Sequence, residues 1–231
     1  MRAAVVVFPG SNADSEMLAT LRLAGFLAVS VWHKETALPS PVDLVALPGG
    51  FSYGDYLRCG AICRASPILP AIQAHAARGG LVLGVCNGFQ ILTEVGLLPG
   101  ALTRNAHLRF ECSDVWVTPT GDSAFTRGLP RVLSLPIAHA EGRYQADHET
   151  LARLEDEGRI ALRYCDAHGT PSDRGPNGSV RGIAGVIGGP SRNILGLMPH
   201  PERRSEALHG GADGKLLFDA ARASLLAGVA A

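Results

Sequence analysis

A chain of 231 residues, 46% hydrophobic and 18% charged with 28 glycines and 15 prolines, can bury one substantial core and is neither disordered nor collagen-like in composition. Its 21 Lys and Arg balance 21 Asp and Glu, so it carries no basic footprint for nucleic acid or an anionic membrane. No apolar run is long enough to cross a bilayer, and the opening MRAAVVVFPGSN is too short for a secretory core and cleavage site, which points to the cytoplasm.

In chain order, AAVVVF (3–8) reads as a buried strand. SNADSEMLATLRLAG (11–25) follows as a helix, with Ser11 or Asn12 as its cap and Gly25 near its end. LAVSVW (27–32) and DLVALP (43–48) are further strands. PILPAIQAHAARGG (67–80) is a helix closed by two glycines, and LVLGV (81–85) is the next strand. This strand–helix alternation predicts an α/β fold around a mainly parallel sheet covered on both faces.

Beyond residue 100 the rhythm changes. SDVWVTP, VLSLPIAHAEGRY and IALRYCD read as strands without long helices between them, so antiparallel additions to the sheet are expected. In GPNGSVRGIAGVIG an Asn-Gly pair between extended segments predicts a hairpin. NILGLMP (193–199) is a strand and GKLLFDAARASLLAG (214–228) a closing helix. No linker or repeat interrupts the chain, and a single domain over 1–231 is expected.

The five cysteines, Cys59, Cys63, Cys86, Cys112 and Cys165, are odd in number and scattered, which suits a reducing compartment. Cys59 and Cys63 have no obvious partner set for zinc, and no metal site is expected. Asn177-Gly178-Ser179 has the form of a glycosylation acceptor but reads as a turn. The glycines at 182, 185, 188 and 189 lack the spacing of a dinucleotide loop.

Cys86 stands apart. Gly84-x-Cys86-x-Gly88 joins a strand to a helix in the form of a nucleophile elbow, with Cys in place of Ser. Such a turn lifts the side chain above the carboxyl edge of the sheet, where open α/β folds bind ligands. The start of the following helix favours a developing anion, and the N–H of Asn87 is free to donate to it. A buried structural cysteine with glycines for packing would look the same until a base is found.

LMPHPE supplies that base. His200 and Glu202 sit two apart in an extended segment, so both side chains point to one side, and a carboxylate beside an imidazole orients it for proton transfer. His139 with Glu141, in PIAHAEGRY, is the rival pair; the other six histidines read as surface or structural. Pro48-Gly49-Gly50 ends a strand at the same edge, where bare amides can approach a ligand and complete an oxyanion hole.

The segments FPGSN, PGGFSYGDYLRCGAI, GVCNGFQIL, LPIAHAEGRY, GPNGS, IAGV and LGLMPHPER run through nearly the whole chain. On them it resembles the class I (triad) glutamine amidotransferases and, within these, glutaminase subunits serving purine biosynthesis. The resemblance implies a three-layer flavodoxin-like fold, a mainly parallel central sheet with antiparallel additions. It implies Cys86 as nucleophile, His200 as general base and acid, and Glu202 as the residue orienting His200. The backbone amides of Gly50 and Asn87 become the oxyanion hole. Gln90 contacts the amino-acid end of glutamine, and His139 belongs to the pocket wall. Ala140 and Gly175 stand where the family has Gly and Asn.

Ammonia released into water at neutral pH becomes ammonium, which is no nucleophile, so the product has to be passed on under shelter. The chain has no P-loop, so an ATP-using step belongs elsewhere. By resemblance the partners are a large synthetase subunit, which takes ATP and magnesium, and a small accessory subunit. No cofactor is expected in this chain. A related group of chaperones and peptidases also carries an elbow cysteine, but there a His commonly follows it, where Asn87 stands here.

Overall fold

The computed structural model describes residues 1–229. Its elements run β1 (Arg2–Val7), α1 (Asp14–Leu23), β2 (Leu27–Trp32), β3 (Leu44–Leu47), α2 (Leu69–Ala77), β4 (Leu81–Val85), α3 (Asn87–Glu94) and β5 (Ala101–Thr103). Then follow β6 (Glu111–Pro119), β7 (Leu133–His139), β8 (Arg143–Gln145), α4 (His148–Asp156), β9 (Ile160–Cys165), β10 (Ile183–Gly188), β11 (Ile194–Leu197) and α5 (Lys215–Val229).

Nine strands form one sheet in the order β2-β1-β3-β4-β11-β10-β9-β6-β7, and β5 with β8 forms a separate antiparallel pair. The first five strands are parallel and the remaining pairings antiparallel. Residues 3–6 of β1 and all of β3, β4 and β11 are buried. Continuous apolar strands of this kind are what a parallel sheet covered on both faces requires. At the far edge, β7 instead alternates, with Leu133, Leu135, Ile137 and His139 buried and the residues between them half-buried. α1 packs on β1 and β2, α2 on β4, and α3 on β4, β11 and β3.

Three local expectations are corrected. Neither Ser11 nor Asn12 caps α1, which starts after Ala13 without a side-chain cap. The Ser11 hydroxyl instead accepts from the Phe8 N–H, and the Asn12 and Ala13 amides donate to the Gly49 carbonyl, so this turn is spent on joining the β1 end to the β3 end. Asn177-Gly178 is not a hairpin turn: β10 pairs with β11 through the turn at 189–193 and with β9 on its other side. Asn177 is fully buried and its amide donates to the Gly142 carbonyl, which also removes it as a glycosylation acceptor. Finally, α4, a helix of 9 residues, lies between later strands where no long helix was expected; Asp147 caps it by accepting from the Thr150 N–H, and Leu151 and Leu154 bury its apolar face.

Candidate active site

The carboxyl ends of β3, β4 and β11 are neighbours in one sheet, so segments far apart in sequence meet at one rim. Leu197 of β11 lies in register with Val85 of β4, and the Cys86 N–H donates to the Leu197 carbonyl at 2.8 Å. Cys86 therefore leaves β4 beside the segment that carries His200 and Glu202.

Cys86 has φ 51° and ψ −105°, a backbone conformation that non-glycine residues rarely adopt and that persists only where the surroundings enforce it. Its neighbours show how. A Cβ on Gly88 would lie 2.0 Å from the Leu47 carbonyl oxygen of β3, and one on Gly84 would lie 2.7 Å from the Gly88 carbonyl. Only glycine lets the elbow helix press this closely on the strand beneath it. Gly49 matters in the same way, since a Cβ there would come within 2.6 Å of the His200 ring.

His200 and Glu202 are both buried, with His200 Nδ1 2.5 Å from Glu202 Oε1. The His200 N–H donates to the Pro136 carbonyl at 2.8 Å, and the Cys86 thiol lies 3.8 Å from the Ala138 carbonyl, so β7 returns over the site. His200 Nε2 is buried without a hydrogen-bond partner of its own. Burial disfavours charge on the ring, but the charges of Glu202 and Cys86, with the hydrogen bond to Glu202, outweigh it and hold the imidazole well above its ordinary pKa. A thiol, an imidazole and a carboxylate thus stand in the order needed for nucleophilic attack with proton transfer.

The amides of Gly50 and Asn87 donate to no acceptor among the described residues. The Asn87 side chain ties their two loops together by accepting from the Ser52 N–H at 3.2 Å. A cavity of about 160 Å³ has Gly50, Cys86, Ala138 and His200 on its walls, and Phe110 and Arg203 also face it. A larger groove of about 510 Å³, between residues 36–42 and α2, contains none of these side chains; convergent chemistry rather than volume marks the site.

Two expected residues are placed differently from their neighbours. Gln90 has both ends of its amide engaged, accepting from Asn87 Nδ2 at 2.9 Å and donating to the Glu141 carbonyl at 2.7 Å. It braces the 139–142 loop against α3. His139 faces inward on β7, behind the wall formed by Ala138, and burial, with the charge of His200, pushes its pKa down to about 4. Its Nδ1 lies 3.1 Å from Asn105 Oδ1, while the Glu141 carboxylate faces Arg104, so the rival His139–Glu141 pair does not form. Asn105 Nδ2 donates to the His139 and Arg109 carbonyls, which leaves its oxygen as acceptor and puts the His139 proton on Nδ1.

Sequence reasoning missed Asn105, Phe110 and Arg203. Arg203 directly follows Glu202 and could have been read from that position; Asn105 acts across 34 residues and left no local signal. Of the other buried thiols, Cys59 is pushed far up by burial and then by the carboxylates of Asp55 and Glu141, and Cys63 is pushed up to about 11 by burial. Neither is a ready nucleophile. Among the described residues no three His, Cys, Asp or Glu side chains are grouped to hold a metal ion.

The family profile of the CobB/CobQ-like glutamine amidotransferase domain matches residues 1–212. Phosphoribosylformylglycinamidine synthase subunit PurQ of Roseobacter denitrificans is 52% identical over 230 residues, covering 98% of this chain and 100% of its own. The protein of that name from Ruegeria pomeroyi is 54% identical over 228 residues, covering 97% and 99%. Among solved structures, a chain of PurLQS from Thermotoga maritima matches with a TM-score of 0.85 at 41% identity, covering 97% of this chain and 98% of that one.

Proposed function

The chain belongs to the CobB/CobQ-like glutamine amidotransferase family, and from that membership we propose that it is the glutaminase subunit of phosphoribosylformylglycinamidine synthase. It hydrolyses L-glutamine to glutamate and ammonia. The ammonia passes to a large synthetase subunit, which converts formylglycinamide ribonucleotide to formylglycinamidine ribonucleotide with ATP in purine biosynthesis. A small accessory subunit completes the complex. ATP and magnesium belong to the synthetase.

The observation that carries the reading is the meeting of Cys86, on its enforced elbow, with the buried His200–Glu202 pair. His200 takes the Cys86 thiol proton as the sulfur attacks the side-chain amide carbon of glutamine, and the carbonyl oxygen becomes an oxyanion. Gly50 and Asn87 N–H groups stabilise it in a cavity where such donors act at low dielectric. His200, charged and oriented by Glu202, gives its proton to the departing nitrogen, and ammonia leaves a glutamyl thioester. His200 then takes a proton from water as the water attacks the thioester and returns it to the departing sulfur, which releases glutamate and restores the thiol.

Five unpaired cysteines suit a reducing compartment, and the cytoplasm fits this reading. Among the described residues no helix is long and apolar enough to cross a membrane.

The test is glutamate release with and without the synthetase subunit, for wild type and Cys86→Ala. The wild-type chain is expected to be slow alone and faster with its partner, and Cys86→Ala inactive in both at an unchanged melting temperature. Release by Cys86→Ala at the wild-type rate would overturn the assignment.

A further inference from the structure

Of the buried imidazoles outside the triad, His33, His75 and His139, it is His33 whose ring contacts the oxyanion loop. It follows β2 directly and is only 4% exposed. Its backbone N–H donates to the Val7 carbonyl at the end of β1, so the ring is fixed beside the first β-strand. Phe8, Trp32 and Tyr53 surround the imidazole, with ring centroids 5.8, 4.6 and 5.7 Å away. The Tyr53 and Ser66 hydroxyls both lie 3.1 Å from Nδ1. Burial, and then the charge of Lys34, lower the pKa of the ring and favour the neutral imidazole, whose Nδ1 shares hydrogen bonds with these hydroxyls while Nε2 is buried without a partner.

Tyr53 is in an unusual place. Tyr53, Gly54 and Asp55 are three successive residues at φ 54°, 69° and 54°, a left-handed run that a bulky aromatic does not adopt unaided. Its N–H donates to the Pro9 carbonyl at 2.7 Å, and its side chain ends on His33. Only Phe51 and Ser52 separate it from Gly50, and their amides are bound to Gly10 and Asn87. The loop is pinned at each step, and the His33–Tyr53 hydrogen bond is the side-chain contact that ties it to the residue following β2.

We propose that His33 is a positioning residue for the glutaminase reaction: through the Tyr53 hydroxyl it holds the 50–55 loop so that the Gly50 N–H meets the oxyanion. The inference rests on the site assignment above and adds to it a residue that touches neither substrate nor thiol. An oxyanion donor works only at hydrogen-bonding distance from the atom that becomes charged, so a loop displaced by part of an ångström loses rate rather than substrate affinity.

The test uses the full chain with its synthetase partner. His33→Leu and Tyr53→Phe should each lower kcat about 10- to 100-fold, in line with the cost of small misplacements near reacting atoms. KM for glutamine should stay within about twofold, since the lost interaction belongs to the transition state. Alkylation of Cys86 by iodoacetamide, which needs no oxyanion hole, should proceed at the wild-type rate. The double variant should be no slower than either single one, because the two side chains act as one contact. His33→Asn, which keeps an acceptor near the Nδ1 position, should recover most of the rate. Wild-type kcat in Tyr53→Phe, losses that multiply in the double variant, an effect confined to KM, or no recovery in His33→Asn would each overturn the role of His33. If His33→Leu fails to fold, Tyr53→Phe and His33→Asn decide alone. A wild-type complex that releases no glutamate would overturn the site assignment and this role together; an active one indifferent to Tyr53→Phe overturns this role only.

Discussion

His139 and His200 are both buried imidazoles close enough to influence one another, yet their environments push them in opposite directions. His200 has a carboxylate on Nδ1 and is raised; His139 has a neutral amide there and is lowered to about 4. The second case has a consequence for stability. Unfolded, a histidine titrates near its ordinary pKa of about 6.5, so between there and about 4 the unfolded chain binds a proton that the folded chain refuses. Stability is therefore lost as pH falls through this window, by up to about 3 kcal/mol for a shift of this size. His33 and His75, both lowered by burial, add to the same slope. His139→Gln is expected to melt with a shallower dependence on pH between 6.5 and 4 than wild type, read as melting temperature across that range. An unchanged slope would contradict the placement of a neutral, buried His139. Cys86, His200 and Glu202 were legible because each sits in a contiguous pattern, an elbow or an alternating His-Pro-Glu. The contact between Gln90 and the Glu141 carbonyl was not, because the two lie 51 residues apart in sequence.

The elbow shows how much an element depends on what lies beneath it. The two glycines around Cys86 allow a close approach that side chains would block: Gly88 against the Leu47 carbonyl of β3, and Gly84 against Gly88 and Leu92 of the elbow helix. Backbone cannot step aside as a flexible side chain can. Gly88→Ala is expected to destabilise the protein by about 1–3 kcal/mol through overpacking. It should also slow glutamine hydrolysis by about 100-fold as Cys86 and the Asn87 amide shift. Melting and glutamate release on one preparation check both; a variant with wild-type values would show that the helix is free to move off β3. The Asn-Gly signal at 177–178 failed for the converse reason. A turn dipeptide makes a hairpin only if its flanking strands pair, and here the Asn177 side chain is committed to the Gly142 carbonyl. α4 was missed although Asp147 and the Leu151–Leu154 spacing announce it, because the strand-rich surroundings drew the reading.

At the scale of the molecule, alternating strands and helices in the first half predicted a parallel sheet, and the second half predicted antiparallel additions. Strand order was beyond reach: β11, formed late in the chain, slots between β4 and β10, and no local pattern encodes that pairing. That insertion matters most, since it sets the His200 segment beside the Cys86 elbow and lets β7 close over both. The arrangement makes a definite covalent claim. When the complex is mixed with glutamine, quenched in acid within a single turnover and digested for mass spectrometry, a glutamyl group should be found on the peptide carrying Cys86. Glutamate formed without that adduct, or with the adduct on Cys59, Cys63, Cys112 or Cys165, would contradict the account.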